Sequence, residues 1–234
     1  VKSMKLRAHR GFSKYELENT KEAFLAAANR PYFGIETDIS IIKNQAMILF
    51  HDDNLKRLTN IDKSLKDLTI EEAADIELNA RETYHTYSYK IAYPKEYIRI
   101  CKHYGKTPII ELKWGFTKEL VDEVMKLLIQ EDMYDKSIVI CFTYELVLYI
   151  KESYPDMRIQ YLLGMLYTEK AIEDCLSKNI SIDLRYDLVT KELVDRFHEK
   201  GLEVNAWTVD DEETRNRLDR KSTRLNSSHL SRSR

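Results

Sequence analysis

Residues 34–52, GIETDISIIKNQAMILFHD, decide how the rest of the chain is read. Gly34–Ile39 is β-rich, and Glu36 and Asp38 stand two residues apart. In an extended strand both carboxylates then project from one face. The strand continues through Ile39–Lys43, and after only Asn44-Gln45 a second apolar arm, Ala46–Phe50, begins. So short a connection cannot make a parallel crossover, so the pair is predicted as an antiparallel hairpin. Asn tolerates left-handed geometry, which suits Asn44 to the turn. The return arm ends on His51-Asp52.

Outward from this stretch, β-rich segments alternate with helical patterns. Further strands are predicted at Met4–His9, Thr107–Lys113, Ser137–Phe142, Met157–Leu163, Ile180–Leu184 and Leu202–Thr208. Between them apolar residues recur at helical spacing, as in Ala23, Ala26 and Ala27, in Leu120, Val124, Leu127 and Leu128, and in Leu193, Val194 and Phe197. Asn19 and Thr190 stand where helix caps are expected. Repeated βα units imply a parallel sheet covered by helices, either open or closed into a barrel, and periodicity does not choose between them.

Two segments break the rhythm. Asp52 to Tyr93 is an excursion with one helical pattern, Thr69–Leu78, and a polar stretch carrying Tyr84, Tyr87, Tyr89 and Tyr93. It reads either as a lid that selects substrate or as a packing appendage. Lys221–Arg234 is rich in Ser and Arg and has no apolar period. It is expected to form no strand, so a barrel would lack its eighth. The domain expected is residues 1–220, with 52–93 as an insertion and 221–234 as a non-native disordered tail.

The composition, with 43% hydrophobic and 32% charged residues over 234 positions, fits one large α/β domain. A net charge of −2 and a pI near 6.4 exclude bulk attraction to nucleic acid or anionic lipid. Phosphate chemistry would need a local cluster of charge. Cys101, Cys141 and Cys175 are odd in number and scattered, which argues against a disulfide framework or a zinc knuckle. No apolar run approaches the ~20 residues of a membrane span, and the first residues lack a signal-peptide core. A cytoplasmic protein without stable membrane insertion is expected.

The charged residues at the predicted strand ends form a coherent set. The first strand ends in His9-Arg10-Gly11, the second carries Glu36 and Asp38, and the third parallel strand ends in Glu111-Leu112-Lys113. His51 closes the hairpin and Trp207 lies in the seventh parallel strand. In a barrel, active sites are built from such ends. Buried carboxylates must be paired or bound to a metal, because burying a lone charge costs several kcal/mol.

In that order, His9-Arg10-Gly11, Glu18-Asn19-Thr20, Glu36-Thr37-Asp38, His51-Asp52 with Leu55, Arg57 and Thr59, Glu111-Leu112-Lys113 and Trp207-Thr208-Val209 resemble the motifs of the glycerophosphodiester phosphodiesterase family. The likeness runs from about residue 5 to 210. It implies a TIM-type (β/α)8 barrel with an insertion after the second strand. It also implies a divalent cation held by Glu36, Asp38 and Glu111. Hard oxygen ligands suit Mg²⁺ or Ca²⁺. The likeness further implies His9 and His51 as an acid–base pair and a small glycerophosphodiester as substrate, while Arg10 and Lys113 would offset phosphate charge. Trp207 would stack on the glycerol face of the ligand or plug the barrel mouth. The expected reaction yields sn-glycerol 3-phosphate and an alcohol. Alternatives are a lysophospholipase D or sphingomyelinase D-like enzyme, with an exposed apolar rim on the insertion, and an inactive truncated barrel.

Neighbouring residues have plainer readings. Glu18 is expected in a first helical turn, with a secondary role near the ligand open to it and to Asn19, and Asp52 is expected to orient His51 or the loop. Phe12 could line the pocket or the core, Phe142 is open, and Arg185 with Asp187 reads as a surface ion pair.

Overall fold

The computed structural model describes residues 5–79, 88–165 and 167–207, together with the backbone of 226–229. Tyr84 and Tyr87 of the insertion and Thr208-Val209 of the last motif lie outside these residues. In chain order the strands are β1 (Lys5–Ala8), β2 (Gly34–Ile41), β3 (Met47–Leu49), β4 (Glu77–Leu78), β5 (Tyr89–Lys90), β6 (Thr107–Leu112), β7 (Ile138–Cys141), β8 (Arg158–Leu163), β9 (Ser181–Arg185), β10 (Val204–Trp207) and β11 (Asn226–His229). The helices are α1 (Lys21–Ala28), α2 (Ile70–Asp75), α3 (Pro94–His103), α4 (Lys118–Gln130), α5 (Tyr144–Ser153), α6 (Glu169–Ser177) and α7 (Lys191–Glu199).

The main sheet runs β1-β11-β10-β9-β8-β7-β6-β2, all parallel, and β1 also pairs with β2, which curls the sheet into a TIM-type barrel. β3 pairs antiparallel with β2 as the hairpin reading requires, and Asn44 in the turn is left-handed at φ 59°. Seven parallel strands fall where the β-rich segments predict them. The eighth position, which the sequence reading leaves empty, holds Asn226–His229, with Asn226 opposite Lys5 and Ser228 opposite Ala206. Pairing uses backbone N–H and C=O groups that every non-proline residue carries, and the edges of β1 and β10 offer them. The lack of an apolar period therefore does not prevent this segment from pairing.

Alternation along the strands sorts side chains into two layers. Ile35 and Ile39 of β2 join Phe24, Tyr97, Ile98 and Val124 in the large core between sheet and helices. Inside the barrel the apolar filling is small: Ile109, Ile138, Ile140 and Leu162. Much of the remaining interior is polar. Arg7 on β1, 2% exposed, pairs with Asp183 on β9 at 2.9 Å and reaches Gln160 on β8 at 3.4 Å.

Threonine starts the helices. Thr20, Thr117, Thr168 and Thr190 each accept a backbone N–H of the first turn of α1, α4, α6 and α7. Each such cap stabilises its helix by about 1 kcal/mol. Asn19 is therefore not the cap of α1; the next residue is. The insertion has its own core, built from Phe50, Leu55, Leu65, Leu68, Ala73 and Tyr89 beneath the hairpin. Tyr89 is buried there with its hydroxyl on Glu16 at 2.9 Å, which is a packing role.

Candidate active site

The β2–β6 register sets Asp38 opposite Glu111. Because Glu36 shares a face with Asp38, one carboxylate oxygen from each of the three residues lies within 4.8 Å of the others. All three side chains are buried. Oε1 of Glu36 and Oδ1 of Asp38 are buried without a hydrogen bond. Buried oxygens left over in this way, in an all-carboxylate set, fit a hard divalent cation. This cluster could hold a metal ion.

The turn after β1 brings positive charge to it. Arg10 and Gly11 are both left-handed, at φ 52° and 79°. A Cβ on Gly11 would stand 2.7 Å from the backbone of Ala23, so the turn requires glycine. It points the Arg10 N–H at Glu36 Oε2, 2.8 Å away, and sets the guanidinium between Glu18 at 3.0 Å and Asp38 at 3.3 Å. Lys113 Nζ donates to Glu111 at 2.9 Å and lies 3.8 Å from Asp38. His9 Nε2 is 3.9 Å from Glu36.

Asn19 is here as well. Its backbone is left-handed and its side chain is buried, donating to Asp38 at 2.8 Å and accepting the Thr37 hydroxyl at 2.8 Å. It fixes the orientation of one carboxylate. Glu18, likewise outside the helix, joins two guanidinium groups: Arg10 at 3.0 Å and Arg57 at 2.6 and 2.9 Å. Arg57 in turn donates to Asp52 at 2.5 Å, and Asp52 accepts from His51 Nδ1 at 2.7 Å. A continuous ionic chain thus runs from Arg10 to His51. Asp52 orients His51, as the sequence suggests, and ionised Asp52 can only accept, which leaves Nε2 of His51 facing elsewhere.

The electrostatics show how unequal the charges are. Burial, then the nearby Asp38 and Glu111 carboxylates, push Glu36 well above the usual carboxylate range. Burial and Asp38 push Glu111 up to about 7 against Lys113. Burial also works on Asp38, yet Arg10, His51 and Lys113 outweigh it and hold that carboxyl below its ordinary value. His9 is pushed down to about 3 by burial and by Arg10. Burial and mutual repulsion thus raise two of the three carboxylates while the neighbouring cations lower the third.

Trp207 closes β10 on another side of the mouth, its indole N–H donating to the Asp183 carbonyl at 3.2 Å. It meets Phe142 edge-on, and Phe142 stacks with Trp114. Phe12 lies away from this wall, with Arg30 over its ring at 3.9 Å. Arg185 and Asp187 form the expected surface pair at 2.6 and 2.8 Å. Sequence reasoning put the helix-cap and first-turn roles of Asn19 and Glu18 ahead of a place near the ligand, and passed over Trp114. For the first two, their place in the ordered motif set was the available signal.

A model of the glycerophosphoryl diester phosphodiesterase family matches residues 9–224, beginning at His9. The chain belongs to this family. It is an enzyme, a phosphoric diester hydrolase. It is 25% identical over 217 residues to a glycerophosphodiester phosphodiesterase of Caldanaerobacter subterraneus, covering 90% of this chain and 88% of that one. Among solved structures, a phosphodiesterase of Oleispira antarctica in complex with the product sn-glycerol-3-phosphate superposes with a TM-score of 0.83 at 20% identity, over 97% of this chain and 92% of that one. The glycerophosphodiester phosphodiesterase of Thermotoga maritima gives 0.78 at 23% identity, over 98% and 95%. At these identities the structures share the barrel fold. No helix among the described residues is long and apolar enough to cross a membrane.

Proposed function

We propose that the chain hydrolyses glycerophosphodiesters such as glycerophosphocholine to sn-glycerol 3-phosphate and an alcohol, with a divalent cation, Mg²⁺ or Ca²⁺, held by Glu36, Asp38 and Glu111. The observation that carries this reading is the charge surplus at the cluster. Of five carboxylates, Glu18, Asp38, Asp52 and Glu111 pair with only three cations, Arg10, Arg57 and Lys113, and Glu36 is held by the Arg10 backbone N–H. The excess of two negative charges is what a divalent ion cancels. Once bound, the ion supplies Lewis-acid polarisation of a phosphoryl oxygen.

The remaining steps fall to side chains. Arg10 and Lys113 face the phosphate and offset its charge as the pentacovalent arrangement forms. Of His9 and His51, one takes the proton of the attacking hydroxyl while the other returns a proton to the leaving alcohol oxygen. With the glycerol 2-hydroxyl as attacker, its oxygen bonds to phosphorus and the bond to the alcohol breaks. Water then opens the cyclic phosphate with the proton roles reversed. The product held by the Oleispira protein agrees with this outcome.

Release of glycerol 3-phosphate from glycerophosphocholine, measured with and without EDTA, tests the reading. Activity abolished by EDTA and restored by Mg²⁺ or Ca²⁺ is expected. Equal activity in both arms, or none in either from folded protein, would sink it.

A further inference from the structure

Glu18 stands outside the carboxylate cluster, yet two parts of the site meet on it. Its Oε1 accepts from Arg10 Nη1 at 3.0 Å and from Arg57 Nη2 at 2.6 Å, and its Oε2 accepts from Arg57 Nη1 at 2.9 Å. Two guanidinium groups therefore converge on one side chain. Arg10 has a second acidic neighbour, Asp38 Oδ2, 3.3 Å from its Nε, but that nitrogen is buried without a hydrogen bond. The directional bond on the head of Arg10 is the one to Glu18. On the far side, Arg57 passes through Asp52 to Nδ1 of His51.

We propose that Glu18 is a positioning residue that sets the phosphate-binding arm and the proton-transfer arm of the site together, so that its loss harms both binding and turnover. This rests on the phosphodiesterase reading above, which gives Arg10 to the phosphate and His51 to proton transfer. Charge is the first support. Two cations that share one oxygen repel each other, and a carboxylate between them offsets that repulsion while fixing both by charge-assisted hydrogen bonds. An amide of the same size brings no charge and turns N–H donors toward donors. The second support is how firmly Glu18 is held. Its side chain is 16% exposed, and its neighbours are tied on both sides. Leu17 is buried in the core of the insertion, Glu16 accepts the Tyr89 hydroxyl at 2.9 Å, and the Asn19 N–H donates to the Arg10 carbonyl at 3.0 Å. The third is the origin of Arg57, which ends the short turn Leu55–Arg57, whose Leu55 lies in the same insertion core. The insertion thus feeds Arg57 into the site, and Glu18 receives it.

The test measures kcat and KM separately for glycerophosphocholine, with saturating Mg²⁺ or Ca²⁺. In Glu18→Gln, kcat should fall by about tenfold and KM should rise by about fivefold. Glu18→Asp keeps the charge one methylene short, so both constants should lie between those of the wild type and Glu18→Gln. A double variant separates the two arms. Arg57→Ala has already cut the path to His51, so adding Glu18→Gln to it should lower kcat by less than about threefold more, while KM still rises by about fivefold. Tyr89→Phe removes the Glu16 tie of the same loop without touching either guanidinium, and should leave both constants as they are. An unchanged KM in Glu18→Gln, or fully additive kcat losses in the double variant, overturns this proposal while the phosphodiesterase reading stands. If Glu18→Gln does not fold, Glu18→Asp decides, and wild-type constants there overturn the proposal. No turnover by folded wild-type protein overturns both.

Discussion

Two clusters of buried charge occupy the interior of this barrel, and they are balanced differently. At the mouth, Glu36, Asp38 and Glu111 crowd together with Arg10 and Lys113, and their negative charge exceeds what those cations offset. Three residues before Arg10, on β1, Arg7 meets Asp183 one to one, and Gln160 adds a contact to Arg7. Burial raises Asp183 as it raises Glu36 and Glu111, but Asp183 has a dedicated counter-charge. The lower pair is matched in charge and ties β1 to β9, although Asp183 Oδ1 is buried without a hydrogen bond. The upper cluster is left unbalanced and is available to a ligand. The difference shows that burial of charge does not by itself mark a catalytic site. Imbalance does.

The largest expected effect is on the upper cluster. Glu36→Gln removes one ligand-type oxygen charge and should lower kcat/KM by about a thousandfold, the scale of several kcal/mol of transition-state stabilisation. Its melting temperature should stay level or rise, since a crowding charge is gone. Arg7→Met gives the mirror image. Leaving Asp183 without its partner should cost about 3 kcal/mol in urea unfolding, with kcat/KM of the folded fraction little changed. A pair of variants that lost activity and stability together would erase the distinction between the clusters.

The third prediction concerns pH. In the metal-free protein Glu111 stands at about 7, above the ~4.3 of an unfolded glutamate. A raised folded value contributes stability that is full below the unfolded pKa and lost as pH rises through the folded one. EDTA-treated protein should therefore lose thermal stability as pH rises from about 5 through about 7. Mg²⁺ or Ca²⁺ competes with that proton, so its affinity should tighten by up to about tenfold per pH unit in the same window, and titration calorimetry would show protons released. Metal affinity flat across that window would contradict it. The smallest effect expected is at Arg57, which reaches His51 only through Asp52. Arg57→Ala should lower kcat by about fivefold to tenfold, Arg57→Lys should recover part of this, and KM should barely move.

Much of the upper cluster was legible along the chain because its members sit in short local patterns. Glu36 and Asp38 announce a shared face by their spacing, and Glu111 and Lys113 repeat the device. Asn19 was misread for a physical reason: Asn and Thr are both good helix caps, they stand side by side, and only contact with Asp38 and Thr37 shows which residue does the other work. The lower pair joins residues 176 positions apart, and nothing in the sequence near Arg7 or Asp183 points to the other. Trp114 follows Lys113 as an isolated aromatic residue, and its stacking on Phe142 exists only once β6 and β7 are adjacent.

By itself the sequence determined the alternating strands and helices, the hairpin, and the residue types at the strand ends, because each follows from spacing within a few positions. The tertiary structure alone decided which charges are balanced, which residue orients Asp38, and what fills the gap between β10 and β1. Those outcomes depend on distances between strands and on backbone groups that all residues share, and neither is written in local periodicity.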